Sequence, residues 1–132
     1  MRGRTKAPAG GRKQEAGSTT EAPKRLRPGE YLITTHREAG TALQKFRDIA
    51  KKAGPLDAQT CEFILMACFA INGNEEPFKN HALRALEAGI SKETLQHIAI
   101  LPLGAATVIP KVVQVLRWID DVADRHRAGA KK

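Results

Sequence analysis

Three side chains in this sequence combine acid-base chemistry with an unusual setting: Glu62, His81 and His97. Glu62 stands near the head of the run Cys61-Glu62-Phe63-Ile64-Leu65-Met66-Ala67-Cys68-Phe69-Ala70-Ile71, whose other members are all apolar. A carboxylate carried into such surroundings either finds a partner or keeps its proton. The plainer alternative is a half-solvated carboxylate favoured by the positive end of a helix. His81, nineteen residues later, falls on the apolar side of its own segment, where an imidazole is either a proton carrier or a core ring satisfied by a backbone carbonyl. His97 precedes the apolar stretch 98–110 and is either a second hydrogen-bond donor or a surface residue. Groups of these types can perform general acid-base catalysis. No Gly-rich phosphate loop, nucleophile elbow or metal-ligand spacing accompanies them, so neither a cofactor nor a metal is expected. The two cysteines, Cys61 and Cys68, are seven apart in one helical segment. Their Cα atoms would lie roughly 10 Å apart, beyond disulfide reach, and they read as small apolar side chains.

The elements that must position these groups belong to one domain, because 132 residues leave room for only one core. The net charge of +8 is unevenly placed. Residues 1–28 carry eight basic side chains against Glu15 and Glu21, and residues 125–132 carry four with no acid, which leaves 29–124 slightly acidic. Only six residues are aromatic, so stacking platforms for bases are scarce, and a nucleic-acid partner is not expected. The N-terminal stretch, rich in Gly, Ala, Pro and basic residues, cannot bury enough apolar surface to offset its ordering entropy. It is expected to be a disordered basic tail over 1–28. It has no apolar run of the kind a secretory signal needs, and no later apolar stretch reaches the length of a membrane span. A soluble, cytoplasmic protein with no membrane partner is the expectation, with a helical domain over 29–126 and a basic C-terminal tail over 127–132.

Helical periodicity dominates that domain. Ala42, Leu43, Phe46, Ile49 and Ala50 form a stripe within 37–53, stopped by Gly54 and Pro55. Asp57 is placed to cap a second helix reaching about Asn72 that is apolar all round. A chain this small can hardly surround such a helix, which argues for burial against other subunits. Asn74 starts a third helix that ends before Gly89, and Ser91 caps a fourth in which Pro102 is expected to produce a kink. Pro110 opens the last, with Val112, Val115, Leu116, Ile119 and Val122 as its buried stripe. No segment alternates with period two, so the predicted class is all-α, a single-domain antiparallel helical bundle.

Read together, Leu56-Asp57-Ala58-Gln59-Thr60-Cys61-Glu62-Phe63-Ile64, then Asn74 to Ile90, then Ser91-Lys92-Glu93-Thr94-Leu95 resemble the carboxymuconolactone decarboxylase and alkylhydroperoxidase D superfamily. The resemblance covers about residues 35–122. In the peroxidase branch a Glu is followed by a Cys-x-x-Cys twelve and fifteen residues on and by a His nineteen residues on. Glu62 and His81 match that Glu and His, whereas Asn74 and Pro77 occupy the cysteine positions, so the resemblance implies no thiol-dependent peroxide reduction. Phe78-Lys79-Asn80-His81 resembles the Phe-Lys-x-His-like run of the decarboxylase branch. His97 replaces that branch's usual Glu, and Ala105 to Pro110 replaces its Tyr-x-Gly-x-Pro.

The resemblance thus implies a cofactor-free decarboxylase or proton-transfer enzyme acting on a small cyclic or aromatic-derived carboxylic acid or lactone. His81 would be the proton donor, Glu62 its relay or orienting partner, and His97 a second donor, with Lys79, Arg84 and Lys111 available to hold a carboxylate. It also implies a homo-oligomer, a trimer or a hexamer built from trimers. The alternative is a non-catalytic oligomeric scaffold or small-ligand-binding protein that has lost the redox centre of its relatives.

Overall fold

The computed structural model describes residues 25–131, so the tail expected over 1–28 lies outside the described residues up to position 24. Six helices follow in order: α1 (Pro28–Thr35), α2 (Arg37–Lys51), α3 (Ala58–Asn72), α4 (Glu75–Glu87), α5 (Lys92–Ile100) and α6 (Ile109–Ala130). No β-strand occurs among the described residues; one isolated bridge joins Leu103 to Thr107. The all-α class is therefore observed.

The start and stop signals act as the chemistry of helix ends requires. The Asp57 carboxylate accepts a hydrogen bond from the Thr60 N–H at 2.7 Å, and the Ser91 hydroxyl accepts one from the Thr94 N–H at 3.1 Å. Gly73, at φ +71°, closes α3 in the left-handed conformation, and the Asn74 N–H reaches back to the Phe69 carbonyl at 2.9 Å. This turn sets α4 directly against α3.

The core lies among α3 to α6. Met66 and Ala70 from α3, Phe78 and Ala82 from α4, Leu95, Ile98 and Ala99 from α5, and the α6 stripe close on one another. On α6 the buried set is Val112, Val115, Trp118, Ile119, Val122 and Ala123, with Leu116 only partly covered. The Phe78 and Trp118 rings meet tilted, with centroids 5.9 Å apart.

One expectation needs correction. Pro102 ends a helix instead of kinking one: α5 stops at Ile100, and a turn segment with Gly104 at φ +83° leads to α6. A proline lacks the N–H that the next turn would need, and no helical residues beyond it restore the ladder. The stripe on α2 is not buried within the chain, since Phe46 is 66% and Ile49 57% exposed. α2 packs chiefly on α1. α1 begins at Pro28 and α6 runs on to Ala130, so helical structure crosses the positions 28/29 and 126/127.

Helix α1 has no counterpart in the periodic pattern and buries none of its own side chains. It is held to α2 through backbone proximity. Gly40 is buried because Ile33 occupies the space of a side chain, its backbone N lying 2.7 Å from where a Cβ would stand. His36 alone joins the two helices, closing α1 and opening α2.

Candidate functional site: a carboxylate-histidine pair on a cationic cavity

Glu62 is the fifth residue of α3 and His81 the seventh of α4, and the Gly73 turn between them brings the two side chains together. His81 Nδ1 and Glu62 Oε2 form a short hydrogen bond. The imidazole is 7% exposed, whereas the carboxylate remains partly solvated. Two cations attend the carboxylate: Lys51 Nζ, from α2, donates to Glu62 Oε1 at 3.0 Å, and Arg84 Nη2 stands 4.0 Å from Oε2.

The protonation pattern follows from these distances. Partial burial pushes the Glu62 carboxyl upward, but the hydrogen bonds from His81 and Lys51 and the charges behind them outweigh it, and its pKa falls below the ordinary value. Burial lowers the His81 pKa; Glu62 opposes this, while the charges of Arg84 and Lys51 reinforce it, and the net direction is down. At neutral pH the pair is therefore an ionised carboxylate beside a neutral imidazole. Arg84 Nη2 also lies 3.1 Å from Nδ1, yet one ring nitrogen cannot donate to Glu62 and accept from Arg84 together. The ionised carboxylate accepts a hydrogen bond from the Nδ1–H, which leaves Nε2 as the nitrogen with the lone pair. Nε2 has no hydrogen-bond partner among the described residues.

His81 lines a cavity of about 420 Å³. Pro77, Asn80, His81 and Arg84 of α4 form one wall, with Phe69 of α3 beside them at a ring-centroid distance of 5.2 Å from His81. The rest of the lining comes from the hairpin: Arg27, Glu30 and Ile33 around α1, and Gln44, Arg47 and Lys51 on α2. The last three are spaced i, i+3 and i+7 and so share one helix face.

Of the residues singled out from sequence, Glu62 and His81 are brought together. His97 is not; it is exposed on α5 and does not line the cavity. Of the three cations expected near the site, only Arg84 is there. Lys79 is engaged by Glu75 at 2.7 Å and Asp121 at 3.2 Å, which raises its pKa and ties α4 to α6. Lys111 sits beside a separate small crevice near Thr107. Arg27, Arg47 and Lys51 went unnoticed because each reads as a solvated charge. The shared face of Gln44, Arg47 and Lys51 was the available signal. Cys61 and Cys68 are both free, Cys61 half-buried and Cys68 exposed, and neither lines the cavity. No group of three or more His, Cys, Asp or Glu placed to hold a metal ion occurs among the described residues, and none of their helices is long and apolar enough to cross a membrane.

No curated protein and no solved structure matches the chain. A family model does, over residues 37–121, a span that contains Glu62, His81 and every helix from α2 to α5 with most of α6. On that match, and on the Glu-His pairing seen within it, the chain belongs to the carboxymuconolactone decarboxylase family.

Proposed function

We propose that this protein is a cofactor-free decarboxylase or proton-transfer enzyme acting on a small organic acid or lactone, with His81 as the proton carrier and Glu62 as the group that orients and charges it. The observation that carries this reading is the Glu62–His81 hydrogen bond, with His81 lining a cavity of about 420 Å³. A neutral Nε2 can accept a proton from an acidic carbon as it stands. When an anion enters, its charge raises the proton affinity of the imidazole, which can then bind a proton and become a donor stabilised by Glu62. In a decarboxylation the bond from carbon to carboxylate breaks and CO₂ departs. The electron pair moves onto a conjugated carbonyl oxygen, and the Nε2 proton goes to the carbon. Arg84, beside the pair on the same wall, is placed to stabilise the negative charge that develops. The reading extends to assembly: a homo-oligomer, trimer or hexamer, in which the uncovered apolar faces of α2 and α3 meet other copies.

The test is Glu62→Gln. Removing the carboxylate charge should lower the His81 pKa further, as read by NMR titration. It should also cut CO₂ release, or deuterium exchange from solvent into a panel of small unsaturated acids and lactones, by roughly 10²- to 10⁴-fold. An unchanged His81 titration would overturn the reading and leave a non-catalytic scaffold.

A further inference from the structure

Four cations line or approach the cavity, and three of them are engaged. Arg27 is tied to Glu30, its Nε donating to Oε1 at 2.8 Å; Lys51 holds Glu62; Arg84 pairs with Glu62 at 4.0 Å. Arg47 is the exception. It is half-buried, it lines the cavity, and it has no hydrogen bond or ion pair among the described residues. Counting Glu30 on the wall and Glu62 behind it, the site carries two positive charges in excess. A guanidinium that has lost part of its hydration without gaining a counterion favours any anion that can reach it, and its planar fork suits a carboxylate.

We propose that Arg47 is a specificity-determining residue: it binds an anionic group that the substrate retains through the reaction. This rests on the proton-transfer reading above. The group at Arg47 is not the one lost as CO₂. A carboxylate that leaves sheds its charge in the transition state, so a guanidinium clamped on it would stabilise the ground state more and slow the step. Arg47 and His81 line the same cavity, one from α2 and the other from α4, and Ile33, Phe69 and Pro77 add apolar surface to its lining. A ligand with an anionic group at one end and the reacting carbon at the other fits that layout.

The probe is benzoate, set against benzamide, which has nearly the same shape and no charge. In the full-length protein, benzoate should shift the His81 ring resonances in a saturable manner, and benzamide should not at equal concentration. Arg47→Gln should weaken benzoate binding at least tenfold, and Arg47→Lys should retain an intermediate affinity, since charge without the fork restores part of the contact. Absence of saturable benzoate binding, equal binding of benzamide, or unchanged affinity in Arg47→Gln each overturns the proposal. The two readings fail separately. If Arg47→Gln binds benzoate normally while Glu62→Gln still moves the His81 titration, the anchor falls and the proton carrier stands. If benzoate binding depends on Arg47 while Glu62→Gln leaves His81 unmoved, the reverse holds.

Discussion

The α1–α2 hairpin and the α3–α6 core divide the work of this molecule in opposite ways. Among the described residues the core holds the largest fully buried side chains, Met66, Phe78, Leu95 and Ile119, and positions the Glu62–His81 pair on two of its helices. The hairpin buries one glycine and leaves Phe46 and Ile49 in the open, yet it contributes Arg27, Arg47 and Lys51 to the cavity. The packed core and the Glu62–His81 pair thus reside in one region, while three of the cavity's cations come from a region with little internal packing. Elements that are weakly packed by their own chain tolerate change at little cost to the fold, which suits them to deciding what is bound.

The sharpest way to break this comparison is to truncate one aromatic ring in each region. Phe78→Ala should cost about 3 to 5 kcal/mol, because it opens a cavity against Trp118. Tyr31→Ala, on an α1 ring that is largely solvated, should stay within about 0.5 kcal/mol. Urea denaturation of both variants measures the difference, and comparable losses would mean that the hairpin is part of the folding core after all.

Assembly gives a second test. If the apolar face of α2 is covered by another copy, the native protein should scatter light as a trimer or hexamer, and Phe46→Lys should shift it towards the monomer mass. A wild-type protein that runs as a single 14.4 kDa particle at micromolar concentration would remove the reason for that face.

A smaller effect sharpens the electrical link between the regions. Glu62 and His81 both have lowered pKa values in the folded state, so the unfolded chain binds more protons and stability rises with pH. The His81 contribution is complete above the ordinary histidine value of about 6.5 and is lost as pH falls through its lowered folded value. Urea midpoints should therefore decline between pH 7.5 and pH 5, and His81→Asn should flatten that decline. A midpoint that rises on acidification would contradict the assignment of a neutral imidazole.

Most of the core was legible because its signals are local and chemical. Asp57 and Ser91 cap, Gly73 turns, Pro110 sits in the first turn of α6, and the stripes of α6 repeat at helical spacing. The separation of Glu62 from His81 was legible for the same reason: a helix, a tight turn and a second helix leave little choice about which residues meet. Helix α1 was not, since eight residues with no buried side chain carry no periodicity to read. The hairpin cations were obscured by the same cause, for an arginine facing a cavity and one facing bulk water look alike along the chain. The surroundings of His97 were not legible either, because its place before an apolar stretch says nothing about the direction in which its ring points.

The contact between Gly40 and Ile33 makes α1 a lever. Because the backbones touch near the His36 joint, a tilt of α1 against α2 that kept this contact would pivot about that end, with the fulcrum only a few residues from the junction. Arg27 lies beyond the other end of α1, nine residues away and at about 1.5 Å of rise for each. A rotation of roughly 10° at His36 would carry the Arg27 end about 2 Å while Ile33 scarcely moved, so the cavity lining farthest from the joint would shift most and the lining nearest it least.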